Sequence, residues 1–403
     1  MGVRATRRVL LRGGAGLSLA TLAACSADDS ATTSEPSGST TGAAPTTPST
    51  PTSSTPTLTT STPTTPAPTA AETATGAPDP QVASTVVDGI AVPWGIAFLP
   101  DASALVGARD SGELFRVTPG GDDRGRKELV GTLDVHSRLD EGGETGLLGL
   151  ALHPDFATNR LLYAYVSTAD DNRIVRMTFD GALGAPEPVL TGIGTSTHHN
   201  GGALVFGPDR LLYAATGDAE DSAAAQDTGS VDGKVLRLTD AGRAAPGNPF
   251  GNEVLSYGHR NVEGLRFDEQ GRLWASEFGD KGADELNLIE AGKNYGWPAV
   301  EGSDGKGGYA DPLAEWPVDQ CSPSGIAIAA GRAWLGALQG ECVWSVVLDG
   351  PDAGTSRQHF AGDYGRIRSV ALAPDGSLWV TTSNRDGRTD PRPGDDRILR
   401  VTL

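Results

Sequence analysis

Six copies of one short apolar motif, further apolar runs after each copy, and turn residues between them predict an all-β fold, a six-bladed β-propeller. The motif runs from Trp94 to Asp101 (WGIAFLPD) and returns from Leu148 to Asp155 (LGLALHPD) and from Gly202 to Asp209 (GALVFGPD). Weaker copies begin at Glu263 (EGLRFD) and Ser324 (SGIAI), and a clear sixth begins at Ser369 (SVALAPDG). Intervals of about 45 to 60 residues give each copy room for one four-stranded blade.

Each strand of a blade has its own signature. The motif itself supplies the innermost strand. A second apolar run follows, as in Leu211–Ala215, Arg272–Ser276 and Ser377–Thr381. A third alternates strictly, as in Glu113–Val117, Arg173–Met177, Lys234–Leu238 and Arg397–Val401, where arginines recur on one face; that period of two marks a strand with one wet side. Ala83–Val87 is expected to join the last blade and so pair the two ends of the domain, which leaves no exposed sheet edge.

Before the propeller the chain divides into two further parts. Residues 1–25 read as a signal peptide: Arg7 and Arg8 precede a short apolar run, in the manner of twin-arginine export, and Leu22-Ala23-Ala24-Cys25 has the form of a lipobox with Cys25 as the lipidated residue. Residues 26–80 are almost entirely Ser, Thr, Pro, Ala and Gly, which lack the apolar side chains to offset the entropy of ordering, so a disordered tether is expected. The propeller would then occupy residues 81–403. The expectation is an exported cell-surface lipoprotein on the outer face of the cytoplasmic membrane, attached to it only through the lipid anchor.

A net charge of −19 repels phosphate and argues against a nucleic-acid partner. It suits a site that collects calcium. Besides Cys25 the chain holds Cys321 and Cys342, expected as a disulfide in an exported protein; the alternative is two buried free thiols.

In a propeller the loops that enter the innermost strands converge on one end of the central channel. Four stand out: Glu141–Gly146 with Glu144, Ser196–Gly202 with His198 and His199, Tyr257–Asn261 with Arg260, and Gly365–Arg368 with Arg366 and Arg368. A His at a strand mouth suits a general base, and arginines suit bidentate clamping of a carboxylated ligand. Taken singly, the histidines could be loop residues satisfied by neighbours and the arginines surface ion pairs.

Gly146 to Phe156 (GLLGLALHPDF), Gly233–Leu238, Gly258–Asn261, and Asp284–Ile289 leading to Asn294–Pro298 resemble, in order and spacing, the soluble pyrroloquinoline quinone (PQQ) dependent glucose and aldose sugar dehydrogenases. The resemblance covers residue 85 to the C-terminus. It implies oxidation of an aldose to a lactone, with His199 as the base at the anomeric hydroxyl, hydride passing to the quinone, and electrons leaving to an external acceptor, since the chain has no Cys-x-x-Cys-His for a haem. It further implies cofactor contacts at Glu144, Arg260, Asn261, Gln339, Arg366 and Arg368, with Arg368 facing the reacting quinone. Calcium would be held by Glu285 and by backbone oxygens of Gly279, Asp280 and Tyr295. Three positions depart from the pattern: Glu144 replaces a Gln, Ala203 an Arg, and Gln339 a Lys. The last two remove positive partners of a tricarboxylate. Two other readings therefore stay open from the residues alone: a sugar- or protein-binding propeller without cofactor, and a calcium-dependent propeller lactonase.

Overall fold

A computed structural model describes residues 79–403 apart from 122, 304 and 306. The signal, tether and Cys25 expectations lie outside the described residues. The propeller is present: six four-stranded antiparallel sheets, five built from four consecutive strands and the sixth from the last three strands and the first. The innermost strands are Pro93–Phe98, Leu147–Leu152, Leu204–Phe206, Val262–Phe267, Pro323–Ala329 and Ile367–Leu372, one from each copy of the motif. Ring closure follows the sequence expectation: Gln81–Asp88 pairs antiparallel with Arg397–Thr402 as the outer strand of blade six.

The core is a ring of six apolar clusters, each between two neighbouring blades. Leu105 and Leu114 of blade one meet Leu150 and Leu162 of blade two, and so on round to Val86, Trp379 and Ile398 of blade six against Val106 and Val117 of blade one. Every blade therefore buries both faces, which explains why the inner and second strands read as near-continuous apolar runs. Aromatics stand at one repeated place in the second strands, where Tyr163, Tyr213, Trp274, Trp334 and Trp379 pair with the small or basic residue of the inner strand.

Five of the six inner strands are irregular near their first residues, with register shifts at Pro93/Ile96, Leu147/Leu150, Val262/Gly264, Pro323/Ile326 and Ile367/Val370. A bulge leaves a residue unpaired and re-aims its side chain. Glu263 and Arg368 both lie inside such shifts, and their side chains meet across the channel at 2.9 Å.

The expected disulfide is not formed. Cys321 and Cys342 are free thiols, fully buried in the cluster between blades four and five beside Trp274, Trp316 and Leu335. Burial pushes Cys321 well above the ordinary thiol range and Cys342 up to about 11. Both pack as small hydrophobes, so the weakest copy of the motif is held by apolar contact.

Candidate active site

Each inner strand runs away from the channel mouth and the second strand returns to it. Two sets of loops therefore share that mouth: those entering the inner strands and those joining second to third strands. The residues that stand out in the sequence belong mainly to the first set. The structure adds partners from the second.

His199 sits in the loop before the inner strand of blade three with φ of 57°, a left-handed backbone that a non-glycine residue adopts only when its surroundings enforce it. The enforcement is visible. Glu144 accepts the His199 backbone N–H at 3.2 Å, Asn261 Oδ1 accepts the N–H of Gly201 at 2.9 Å, and the His199 carbonyl accepts the N–H of Ala219 at 3.1 Å. Gly217 passes so close that a Cβ there would lie 1.8 Å from the His199 carbonyl oxygen, so only glycine fits.

The imidazole Nδ1 lies 2.8 Å from Oδ1 of Asp218, a buried carboxylate that also accepts the Glu220 N–H at 2.9 Å and the Trp297 indole N–H at 2.8 Å. A carboxylate only accepts, so Nδ1 carries the proton and Nε2 keeps its lone pair. His198, more exposed, contacts Glu220 at 3.3 Å instead.

Arg366 and Arg368 converge on Asp386, a residue absent from the sequence reading. Arg366 reaches it at 2.9 Å and donates to the Leu338 carbonyl at 3.2 Å; Arg368 reaches it at 3.8 Å while pairing with Glu263. Burial alone would raise the Asp386 carboxyl, but the two guanidiniums hold it below the ordinary range. Burial raises the Glu263 carboxyl despite Arg368. Glu144 is tied to Arg388 at 3.0 Å. Arg109, also missed, is wholly buried beside Asp110 with Nη1 unpartnered.

The structure thus brings Glu144, His199, Arg260, Asn261, Arg366 and Arg368 to one mouth. Asn261 is fully buried there and its oxygen is spent on Gly201. Gln339 is exposed in the turn of blade five next to Leu338, and Ala203 is buried at the start of blade three's inner strand. Arg260 lies over the Trp297 ring at 5.3 Å, with its Nε buried and unpartnered. A signal for the missed groups exists within the chain: Gly217-Asp218 occupies in blade three the turn that Gly279-Asp280 occupies in blade four.

Gly279, Glu285 and Tyr295 line a small cavity of about 10 Å³ together with Arg260, Glu277 and Glu301. Asp280 turns its carboxylate outward, to Lys281 and Arg260. Burial and then the Glu277 charge push the Glu285 carboxyl up to about 8. The Tyr295 phenol donates to the Leu288 carbonyl at 2.6 Å and accepts from Glu290 N–H at 2.9 Å, so any metal contact falls to its carbonyl. Asn287, which donates to both Glu277 and Glu285, leaves its own buried oxygen without a partner. Three carboxylates and an unsatisfied oxygen are donors of the kind a hard cation takes. Among the described residues, however, no three His, Cys, Asp or Glu side chains already stand in a closed metal cage.

Known proteins share this fold and much of this sequence. The chain matches the PQQ-bound form of aldose sugar dehydrogenase from Streptomyces coelicolor with a TM-score of 0.76 and 48% identity, over 80% of this chain and 97% of that one. It is 32% identical over 339 residues to aldose sugar dehydrogenase YliI of Escherichia coli, 74% of this chain and 89% of that protein. It is 32% identical over 288 residues to quinoprotein glucose dehydrogenase B of Acinetobacter calcoaceticus, 61% of this chain and 59% of that protein. Fold, site and likeness together define the class: an oxidoreductase of the quinoprotein type. Residues 90–398 match the model for the Glucose / Sorbosone dehydrogenase family, and the chain belongs to that family.

Proposed function

We propose that this chain oxidises the anomeric hydroxyl of an aldose to a lactone with PQQ as cofactor and His199 as general base. The observation that carries the reading is the His199–Asp218 pair at 2.8 Å, which leaves Nε2 as a free acceptor at the channel mouth beside Arg366 and Arg368. His199 takes the hydroxyl proton on Nε2. Asp218 keeps the ring in the required tautomer and compensates the positive charge that the ring acquires. PQQ, when bound, supplies the acceptor for the two electrons of the oxidation.

The residues present suit that group. Arg260 has an unpartnered buried Nε and an aromatic support, and Arg366 and Arg368 are preorganised by Asp386. Gln339 and Ala203 offer no charge, so the carboxylates of PQQ would rest on these three arginines. Calcium would be held by Glu285 and by backbone oxygens of Gly279, Asp280 and Tyr295, where it would neutralise the buried carboxyl. The electrons would leave to an external acceptor. The lactonase reading falls with family membership. The same uncharged pair keeps the cofactor-free binding propeller as the second reading. We also propose export as a surface lipoprotein through Cys25.

Turnover separates the readings: purified chain supplied with PQQ, calcium and an artificial electron acceptor should oxidise aldoses, and His199→Gln should lower kcat about a hundredfold or more without weakening PQQ binding. Aldose binding with no oxidation by the loaded wild type would select the binding propeller.

A further inference from the structure

The channel has a second mouth, at the ends of the inner strands. Here the six repeats place one small apolar residue at equivalent register: Ala97, Ala151, Val205, Ala327 and Ala371, each paired with the second strand. Blade four breaks the ring with Arg266, opposite Trp274. Exchanging a methyl-sized group for a guanidinium at a crowded position has a physical cost, and nothing among the described residues offsets it. Among the described residues Arg266 forms no ion pair and no side-chain hydrogen bond, its Nε is buried without a partner, and burial, with no carboxylate nearby to oppose it, lowers its pKa. Trp274 does not hold it either, since that ring is covered by Arg272 at 5.3 Å.

Arg266 opens into a cavity of about 280 Å³ walled by Ile96, Phe98, Leu150, Leu204, Phe206 and Leu372, and among the described residues it is the one charged side chain lining it. The walls are fixed. Phe98 packs edge-on to Trp379 at 5.0 Å and Phe206 edge-on to Tyr163 at 5.1 Å. The two ends belong to one channel, whose lining includes both Glu263 and Arg266: Glu263, at the start of the inner strand, reaches Arg368 at the catalytic mouth, whereas Arg266 lies three residues further along, about 10 Å at strand rise, and opens to the other end.

We propose that the second mouth is a binding site for a small monocarboxylate with an apolar body, paired bidentately to Arg266 and covered by the Ile, Leu and Phe side chains. A planar guanidinium without a counter-ion selects a carboxylate, and the surrounding Ile, Leu and Phe side chains offer contacts to an alkyl or aryl remainder. A sugar acid would meet no polar side chain there besides Arg266. The proposal needs neither PQQ nor calcium and stands apart from the oxidation.

The test is calorimetric titration of the purified full chain, without added cofactor, using octanoate, 1-octanol, acetate and inorganic phosphate. Octanoate should saturate one site and bind roughly tenfold or more tightly than either octanol, which lacks the charge, or acetate, which lacks the tail. Arg266→Met and Arg266→Gln should each weaken octanoate by a similar factor, while octanol binding stays unchanged, which also reports that the mouth has kept its shape. Arg266→Lys should recover part of the loss. Equal octanoate affinity in wild type and both variants, no saturable binding to wild type, or phosphate matching octanoate would each overturn the proposal. If neither variant folds, octanoate must still compete with phenylacetate for one site on wild type, and failure to compete would count against it.

Discussion

Replacing Asp218 by Asn leaves the shape of the site almost unchanged and reverses one hydrogen-bond role. Every group around that side chain donates: His199 Nδ1–H and the Glu220 N–H to Oδ1, the Trp297 indole N–H to Oδ2. An amide has one oxygen, so its NH₂ must face one of these donors. Turned toward Trp297, it loses that bond and sets two donors against each other. Turned toward His199, it becomes a donor to Nδ1, moves the ring proton to Nε2 and removes the lone pair that takes the substrate proton. Either arrangement costs at least one buried hydrogen bond to a formerly charged group, about 1.5–3 kcal/mol. The second also removes the base, for which a hundredfold loss in rate corresponds to roughly 2.7 kcal/mol. Steady-state kinetics of Asp218→Asn with PQQ and calcium should show kcat reduced about a hundredfold or more, with PQQ affinity within a factor of about three. The double variant with His199→Gln should be little worse than either single one, because both remove the same function. A kcat for Asp218→Asn within about fivefold of wild type, in a folded sample, would refute the role given to the pair.

Other expectations follow from the same geometry. His198→Gln should cost less than about tenfold in kcat, because its ring contacts Glu220 and not Asp218; a cost equal to that of His199→Gln would place the base one residue earlier. Cys321 and Cys342 should both be alkylated by iodoacetamide in denaturant without reductant and neither in the native protein, read by peptide mass; a disulfide-linked peptide pair would contradict the packing described. Burial, reinforced by the Arg357 charge, lowers His359 to about 4 from its ordinary 6.5. A depressed histidine gives stability that is present above pH 6.5 and lost as pH falls through about 4, up to ~3 kcal/mol, so His359→Gln should flatten the denaturant-midpoint profile across that window. An unaltered profile would exclude His359 as its source. Calcium at a hundredfold excess over its Kd should stabilise the metal-free chain by ~2.7 kcal/mol, and Glu285→Gln should abolish most of that gain; identical melting curves with calcium and with chelator would remove the proposed metal site.

Blade number, ring closure and the placement of His199, Arg366 and Arg368 were legible because they depend on period-two apolar runs and on loops that enter inner strands, and both are local patterns. Asp218, Asp386 and Arg388 were not legible, because they come from turns joining second to third strands, whose convergence on the same mouth is a property of the closed ring. Nor could the sequence place Glu263 against Arg368, since that contact depends on two bulges 105 residues apart. The cysteine pair misled for a related reason: export and an even count favour a bridge, whereas the structure buries both thiols in an apolar seam. Arg266 was present in the fourth copy of the motif, yet its isolation became visible only when the other blades were seen to hold small apolar residues at that register.

Whether these loops bind PQQ productively despite uncharged Gln339 and Ala203 is tested most directly by a spectral titration. Purified metal-free chain is mixed with PQQ, then calcium, then an aldose, while the absorbance of the oxidised quinone is followed. The expected result is saturable perturbation of the PQQ spectrum that is strengthened by calcium, followed by bleaching on addition of aldose, with His199→Gln showing the first change and a bleaching rate slowed about a hundredfold or more. A PQQ spectrum unchanged by the protein at any calcium concentration, or a bound quinone that no aldose bleaches, would contradict it.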